Sequence, residues 1–491
     1  MNALISSHCP PPNSLRWRKD FSTRQTILYH GQDNRLRVPN GGSVIDEFFR
    51  SFNPDLSPPR RHELLRLFLW QTGAKSSFRE AIRVQSSPAD RRILAIIDDR
   101  CDPCLRFTSI PEGAAFLPVR QWESEEYLRR PPGGFHVSVF GVDAEMLYTH
   151  LNQNRTGYAE RRILYLVDLT PLMGLALISN VNYMHLPQIR SFLSRYVAFA
   201  SYMGVSQTNG FTLEFHLPHY ALRKDIYQLR DGRKLRKHRL VRPLGQDAIY
   251  EVQISLVVFG VDEFFWTAYF CEDAYFKTSS PITEYILNEV DGPSAGSRLN
   301  RFPIWDPRYY FLSILVTRTS QITMEWAVLM EIIIGDIDKH DDVFLEFDPS
   351  SKKTKEYAWI LGTLRRLHNL LSRVIDTLVS FHSKNSVYFD LETKGALYDQ
   401  FRECFDQIRQ FATELATTRM TLEQQIETLE KMSDMLVNVS LVAESMTTTH
   451  QGENIQLLTY ISIIYLPLGL VTGVFGMNQV ALYPRPLDYK E

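Results

Sequence analysis

Cysteine is scarce in this 491-residue chain, which has five, at positions 9, 101, 104, 271 and 404. An odd, scattered set does not build a secreted disulfide framework and points to a reducing compartment. Net charge is scarce as well: 54 Lys and Arg stand against 56 Asp and Glu, a formal charge of -2. The chain as a whole therefore has no pull toward nucleic acid or acidic surfaces. No P-loop, HExxH or GxSxG pattern occurs, and residues 292–296 lack the lysine of a phosphate loop. Nothing in the residues supports an enzyme. The N-terminus lacks the apolar core, roughly 7–15 residues, of a secretory signal. It is basic, with Asp20 the only acid among the first 21 residues. That leaves a mitochondrial transit role open, although Pro10, Pro11 and Pro12 spoil an amphipathic helix. A disordered tail over residues 1–40 is the expectation.

Long apolar runs are absent with one exception. Residues 455–477, IQLLTYISIIYLPLGLVTGVFGM, carry no charge over 23 positions. As a helix rising ~1.5 Å per residue they span roughly 34 Å, against a bilayer core of about 30 Å. The sequence therefore implies a large soluble body and one membrane crossing, followed by a short tail over residues 479–491.

The soluble body divides by pattern. Residues 42–82 read as helical, with the proline-rich NPDLSPPRR as a turn. Short apolar or alternating runs then predict strands at 93–97, 135–140, 163–167, 211–215 and 252–258, with a helix around 188–202 between them. This mixture predicts an α+β (or α/β) cytosolic domain over residues 41–290. Two local echoes, Arg-Arg-Ile-Leu at 91–94 and 161–164 and Val-Phe-Gly-Val-Asp at 139–143 and 258–262, read as similar strand ends rather than a repeat. The polar segment 288–298 reads as a linker.

Helices follow, over residues 300–453, as a stalk. Asp306-Pro307 predicts a helix start, because Asp caps free N–H groups and proline suits the first helical position. That helix is expected to reach about residue 334, and another runs over 355–382. In the last and longest, Phe401, Ile408, Leu415, Leu422, Leu429, Leu436 and Ala443 lie seven apart and are all apolar. So long a heptad predicts coiled-coil packing against neighbouring helices. It leads toward the membrane segment, residues 454–478, with no proline before Pro467.

Three charged or metal-like groups invite a functional reading. Cys101 and Cys104 have metal spacing but no second pair, and read as a turn. Asp336, Asp338, Asp341 and Asp342 form a cation-attracting set. They fail as a calcium loop, because Asp341 stands where glycine is required and Phe347 where a bidentate glutamate is needed. A solvated inter-helix loop is the plainer reading, and a weak cation-sensing surface the sharper one. Residues 223–242 hold nine Lys and Arg against two Asp. They read as a mobile charged hairpin on the cytosolic domain, and no nucleic-acid partner is expected.

Gly476-Met477-Asn478 ends the apolar span, preceded by Leu458-Thr459, Tyr465-Leu466-Pro467-Leu468, Gly473 and Phe475. With the long stalk before it, this arrangement resembles the first transmembrane helix of the CorA-like magnesium transporters. The resemblance is sharp over about residues 398–480 and looser over 303–308 and the helices that follow. It implies a CorA-like funnel and a homopentamer in a lipid bilayer, with the N-terminal domain in the cytosol (or the matrix, in a mitochondrial setting). Mg2+ would be the transported and regulatory ion. Hydrated Mg2+ would be selected by a ring at Gly476, Met477 and Asn478, with Gly476 giving a tight turn. Ile455, Leu458 and Leu466 would be the apolar gate, and Gly469 and Thr472 would line the pore. Gly469 replaces a hydroxyl residue that often stands there, and Gln479 replaces an aromatic one. The family's second transmembrane helix is missing from the sequence to Glu491. Alternative readings are thus a truncated member with impaired transport, or a tail-anchored, non-transporting membrane scaffold or sensor.

Overall fold

The computed structural model describes residues 16–23, 36, 42–50, 59–73, 78–84, 93–100, 137–153, 155, 159–208, 210–224, 229–240, 247–300, 302–339, 352–389 and 397–480. They divide into two compact units, one of residues 1–336 with 366–423 and one of 337–365 with 424–491.

The first unit is built on an eight-stranded sheet. Its strands are β1 (Ala95–Arg100), β2 (Val137–Val142), β3 (Arg161–Val167), β4 (Tyr202–Ser206), β5 (Phe211–Lys224), β6 (His238–Leu240), β7 (Asp247–Gly260) and β8 (Trp266–Glu272). The order is β2-β1-β3-β8-β7-β5-β4, with β6 on β7. Only β3 and β8 pair in parallel, Arg161 opposite Trp266 through Val167 opposite Glu272. The two 14-residue strands β5 and β7 pair along their whole length, from Phe211↔Gly260 to Lys224↔Asp247. At that junction Gly210 has φ +92, and a Cβ would stand 2.3 Å from the Gly260 carbonyl oxygen. No side chain fits there.

Every residue of β1, β3 and β8 is buried. On one face, Leu164, Leu166, Val257, Tyr269 and Cys271 join a core with α1 (Val44–Arg50), α2 (Pro59–Trp70), α3 (Phe78–Val84), α4 (Ala144–Asn152), α5 (Pro171–Ser179) and α6 (Leu186–Val197). Alternate residues point the other way. There Phe215 meets Phe311 and Trp266 meets Tyr310 on α8 (Pro307–Lys339), at ring distances of 5.6 and 5.4 Å. Phe381 of α9 (Lys352–Asn385) links Phe311 to Phe405 of α10 (Tyr398–Val480). The short α7 (Pro281–Leu287) completes the set. The architecture is a mixed sheet between two helical layers.

Local expectations are met at several joints. Asp306 caps α8, its carboxylate accepting the Tyr309 N–H at 2.8 Å. Both Val-Phe-Gly-Val-Asp echoes lie at strand ends, where Asp143 caps α4 and Asp262 accepts the N–H groups of Phe264 and Phe265. In α10 the heptad residues Phe401, Ile408, Leu415 and Leu422 are buried in the first unit, as are Leu429 and Leu436 in the second. The second unit also holds an exposed Arg365–Glu430 pair at 2.6 Å.

Three expectations need correction. Within the segment read as a disordered tail, Trp17 and Phe21 are buried against Phe211, and Trp17 donates to Glu263 at 2.7 Å. Aromatic burial outweighs the polar composition around them. The linker 288–298 is a packed turn: Arg318 donates to the carbonyls of Gly292 and Pro293 at 2.7 Å each, and Ser294 is fully buried. The basic run 223–242 is not simply a solvated hairpin. Arg233 and Arg236 are buried and pair with Asp273 at 3.0 and 2.5 Å, and Arg233 also pairs with Asp231 at 2.7 Å. Burial alone would raise the Asp273 pKa, but Arg236 and Arg233 overcome it and hold the carboxyl below its ordinary value.

Two predictions follow from these buried groups. Among the described residues Asp273 is the one carboxylate paired with Arg236, so removing it leaves that buried charge stranded, and Asp273→Leu should cost about 3–5 kcal/mol. The double change Arg236→Met, Asp273→Leu should recover much of that loss, as read by urea denaturation in mild detergent. His185 and His219 are buried, and burial pushes both pKa values down to about 4 from 6.5. The unfolded chain therefore takes up these protons first. Their contribution is complete above pH 6.5 and is lost as pH falls toward 4, by up to about 3 kcal/mol each. Among the described residues the His185 Nδ1 atom has no hydrogen-bond partner. His185→Phe should therefore keep neutral-pH stability while flattening this acid limb by about one proton.

Candidate pore helix

α10 carries the apolar span as the end of one continuous helix of 83 residues. From Glu444 to Gly476 every residue is exposed, so the span has no packing partner among the described residues. Among the described residues this is the one helix long and apolar enough, by length and composition, to cross a membrane. Its polar side chains bond within the helix. Thr459 Oγ1 donates to the Ile455 carbonyl at 2.7 Å, and Thr472 Oγ1 to those of Leu468 and Gly469 at 3.0 and 3.1 Å. Just ahead of the span, His450 Nδ1 and a Glu453 carboxylate oxygen meet at 3.2 Å. Pro467 has no N–H for the Ile463 carbonyl, which weakens the ladder at mid-span.

Helical phase sorts the expected site residues. At about 100° per residue, Ile455, Leu458, Leu466 and Gly469 fall in one sector of about 80°. Ser462, Gly473 and Gly476 share it, members of this face that the motif alone does not reveal and that phase does. Thr472 lies about 40° outside the sector. Asn478 lies about 140° around from Ile455, on a different side. The tight turn expected at Gly476 is not formed, because α10 continues to Val480. A Cβ on Gly469, Gly473 or Gly476 would meet nothing within 4 Å, so no contact among the described residues calls for glycine at these places.

The acidic set is less complete. Asp336 and Asp338 lie in the last turns of α8, while Asp341 and Asp342, like Cys101 and Cys104, fall outside the described residues. Among the described residues no group of three His, Cys, Asp or Glu is arranged to hold a metal ion.

Residues 360–489 match the family model described as CorA-like Mg2+ transporter protein, which takes in most of α9 and all of α10. The chain is similar to the complete structure of the CorA magnesium transporter from Methanocaldococcus jannaschii. That likeness has 12% identity, covers 81% of this chain and 89% of that one, and has a TM-score of 0.35. It is also similar to the ZntB cytoplasmic domain from Vibrio parahaemolyticus, at 12% identity over 57% of this chain and 93% of that one, with a TM-score of 0.29. No curated protein matches the chain.

The span contains twelve Leu, Ile, Val and Phe residues. At about 0.3–0.6 kcal/mol each they favour insertion by roughly 4–7 kcal/mol before its polar residues are counted. One arginine at mid-helix costs about 2.5–3.5 kcal/mol on the same scale. Leu466→Arg should therefore sharply lower membrane insertion, measured as the alkali-resistant fraction, whereas Leu441→Arg, ahead of the span, should leave it unchanged.

Proposed function

We propose that this chain is a subunit of a CorA-like divalent-cation transporter, with hydrated Mg2+ as the substrate. The observation that carries the reading is a coincidence on one helix. The family match covers α10, and that same helix presents an uncharged span, exposed from Ile455 to Gly476, whose sequence ends in Gly476-Met477-Asn478.

The physical argument starts from hydration. Mg2+ gives up its inner waters reluctantly, so a pore can recognise the hydrated ion through outer-shell hydrogen bonds. A ring of Asn478 side-chain carbonyls from several copies supplies such acceptors. The sector of Ile455, Leu458 and Leu466 then lines the axis as an apolar constriction that blocks ions by dewetting. Gly469, Gly473 and Gly476 on the same sector let helices approach closely, which accounts for small residues that no contact within the chain requires. Because Asn478 is about 140° out of phase with Ile455, its ring forms at the axis only where the helix opens after Gly473 or Gly476. Ser462 lies within the sector, and Thr472, about 40° outside it, offers a further hydroxyl once released from its own backbone. A homopentamer in the bilayer, with the N-terminal domain on the cytosolic or matrix side, is the assembly this reading adopts. Asp336, Asp338, Asp341 and Asp342 then serve as a weak Mg2+-sensing set.

A second reading, a non-transporting membrane scaffold or sensor, draws on the single candidate span among the described residues. Asn478→Ala separates the two. In a strain deficient in magnesium uptake, the parent chain should restore growth at low Mg2+. Asn478→Ala, equally expressed and inserted, should lose at least about tenfold in uptake rate, since it deletes the acceptor ring. Equal activity of the two chains would defeat the selectivity reading. No uptake by a well-inserted parent would leave the scaffold.

A further inference from the structure

Residues 16–23 sit on the first unit by two side chains. Trp17 and Phe21 are buried, whereas every other residue of the segment is exposed. The two rings pack on each other at 5.0 Å and on Phe211, the first residue of β5, at 5.2 and 5.7 Å. A 3-10 turn, Lys19–Ser22, brings both rings to that one side. Two directional bonds go to Glu263, in the loop between β7 and β8. Its carboxylate accepts the Trp17 indole N–H at 2.7 Å, and its backbone N–H donates to the Phe21 carbonyl at 3.0 Å. Arg18 and Asp20 pair within the segment at 2.9 Å.

The same carboxylate leads inward. Arg308, in the first turn of α8, donates to Glu263 at 3.2 Å, and its guanidinium lies 4.7 Å from the centre of the Trp17 ring. That guanidinium also lies 5.2 Å from the ring of Phe401, in the first turn of α10, and donates to the Tyr388 carbonyl, just beyond α9, at 3.2 Å. One arginine thus joins the docked segment to the starts of α8 and α10 and the end of α9, all within the first unit. The large core under α1 to α6 contains neither Trp17 nor Phe21, so it stands without the segment.

We propose that this place is a binding site for a Trp-x-x-x-Phe peptide, and that residues 16–23 are its exchangeable occupant, held in cis. The contacts are those of a short linear peptide: two aromatic anchors four apart, an indole N–H on a carboxylate and a main-chain carbonyl on an N–H. A segment that buries two side chains and leaves the rest in water opens at far lower free energy than the buried strands beneath it. When it leaves, Arg308 loses the Trp17 ring, and the start of α10 loosens. The inference stands apart from transport, since it concerns the first unit alone.

The first test is native-state hydrogen exchange on the unaltered chain in detergent. The amides of Phe21, Thr23 and Glu263, which bond within the docked segment or to it, should exchange at least about a hundredfold faster than those of Val257 and Val258 in β7. The second empties the site in the full chain with Trp17→Ala, Phe21→Ala and adds a fluorescent peptide of residues 16–23, read by anisotropy. Saturable binding is expected, and about tenfold or more weaker binding to the parent, whose own segment competes at high effective concentration. Glu263→Ala in the emptied chain should weaken binding about tenfold, through loss of the indole's acceptor. Exchange at residues 401–405 should rise severalfold in the emptied chain and fall again at saturating peptide. Three results overturn the site: segment amides as slow as those of β7, no saturable binding to an emptied chain that keeps its β7 protection, or equal binding of a peptide with both aromatics changed to alanine. Exchange at 401–405 that ignores the segment overturns the link through Arg308. Should the emptied chain lose its β7 protection, exchange in the unaltered chain decides alone.

Discussion

The pairing at the end of β8 is the constraint on which the first unit depends. A strand buried on both faces leaves no water to receive a charge, yet β8 ends in Glu272-Asp273, both buried. Successive residues point to opposite faces of a sheet, and each acid finds cations on its own side. Glu272 takes Arg318 of α8 at 2.9 Å and Lys277 at 3.0 Å, with the Tyr165 hydroxyl donating at 3.0 Å. Asp273 takes Arg236, Arg233 and the hydroxyl of Tyr196 on α6. One dipeptide thus anchors the helical layer on each side. Apolar area supplies most of the folding free energy, but these pairs fix which helix lies against which face, because a stranded buried charge costs several kcal/mol.

The same logic explains how the sheet reaches α10. Phe215 and Trp266 commit the second face to α8, and Phe381 carries that packing on to Phe405. The heptad then keeps one side of α10 buried as far as Leu436. Beyond it Leu441, Val442 and Met446 are more than half exposed, as are Ile455, Leu458 and Leu466 in the span. Apolar side chains in such density need cover, which the described residues of this chain do not supply. The uncharged part is long and apolar enough for a bilayer to supply that cover. The stretch before it, with Glu444, His450 and Glu453, is too polar for lipid and calls for protein neighbours.

Legibility in the sequence followed periodicity. The helices of the stalk were readable because their apolar residues recur at three, four and seven, and Asp306-Pro307 marked the start of α8. The strands β1, β2, β3, β5 and β7 were readable as short apolar runs, though β5 and β7 extend well beyond the predicted segments. β8 was not, since Trp-Thr-Ala-Tyr-Phe-Cys-Glu is buried on both faces and does not alternate in polarity. The basic run misled for a related reason. Composition counts charges, but it does not show that Asp231 and Asp273 stand ready to bury Arg233 and Arg236. Long-range partners of that kind decide whether a charge is solvated, and spacing along the chain is silent about them.

The span itself is where motif and geometry diverge most usefully. A motif treats Leu458, Leu466 and Asn478 as one series, whereas a straight helix puts the first two on one side and Asn478 well around from it. Both can face a common axis only when the helix changes course between Leu466 and Asn478. Pro467 removes one rung of the ladder, and Gly469, Gly473 and Gly476 remove the side chains that would resist bending or close approach. The residues that weaken this helix therefore lie between the apolar face and the asparagine. In a helix that only anchored a chain, nothing would be gained by weakening it at that place. In a helix that must bring an asparagine to the axis of an assembly, that is where the weakness belongs.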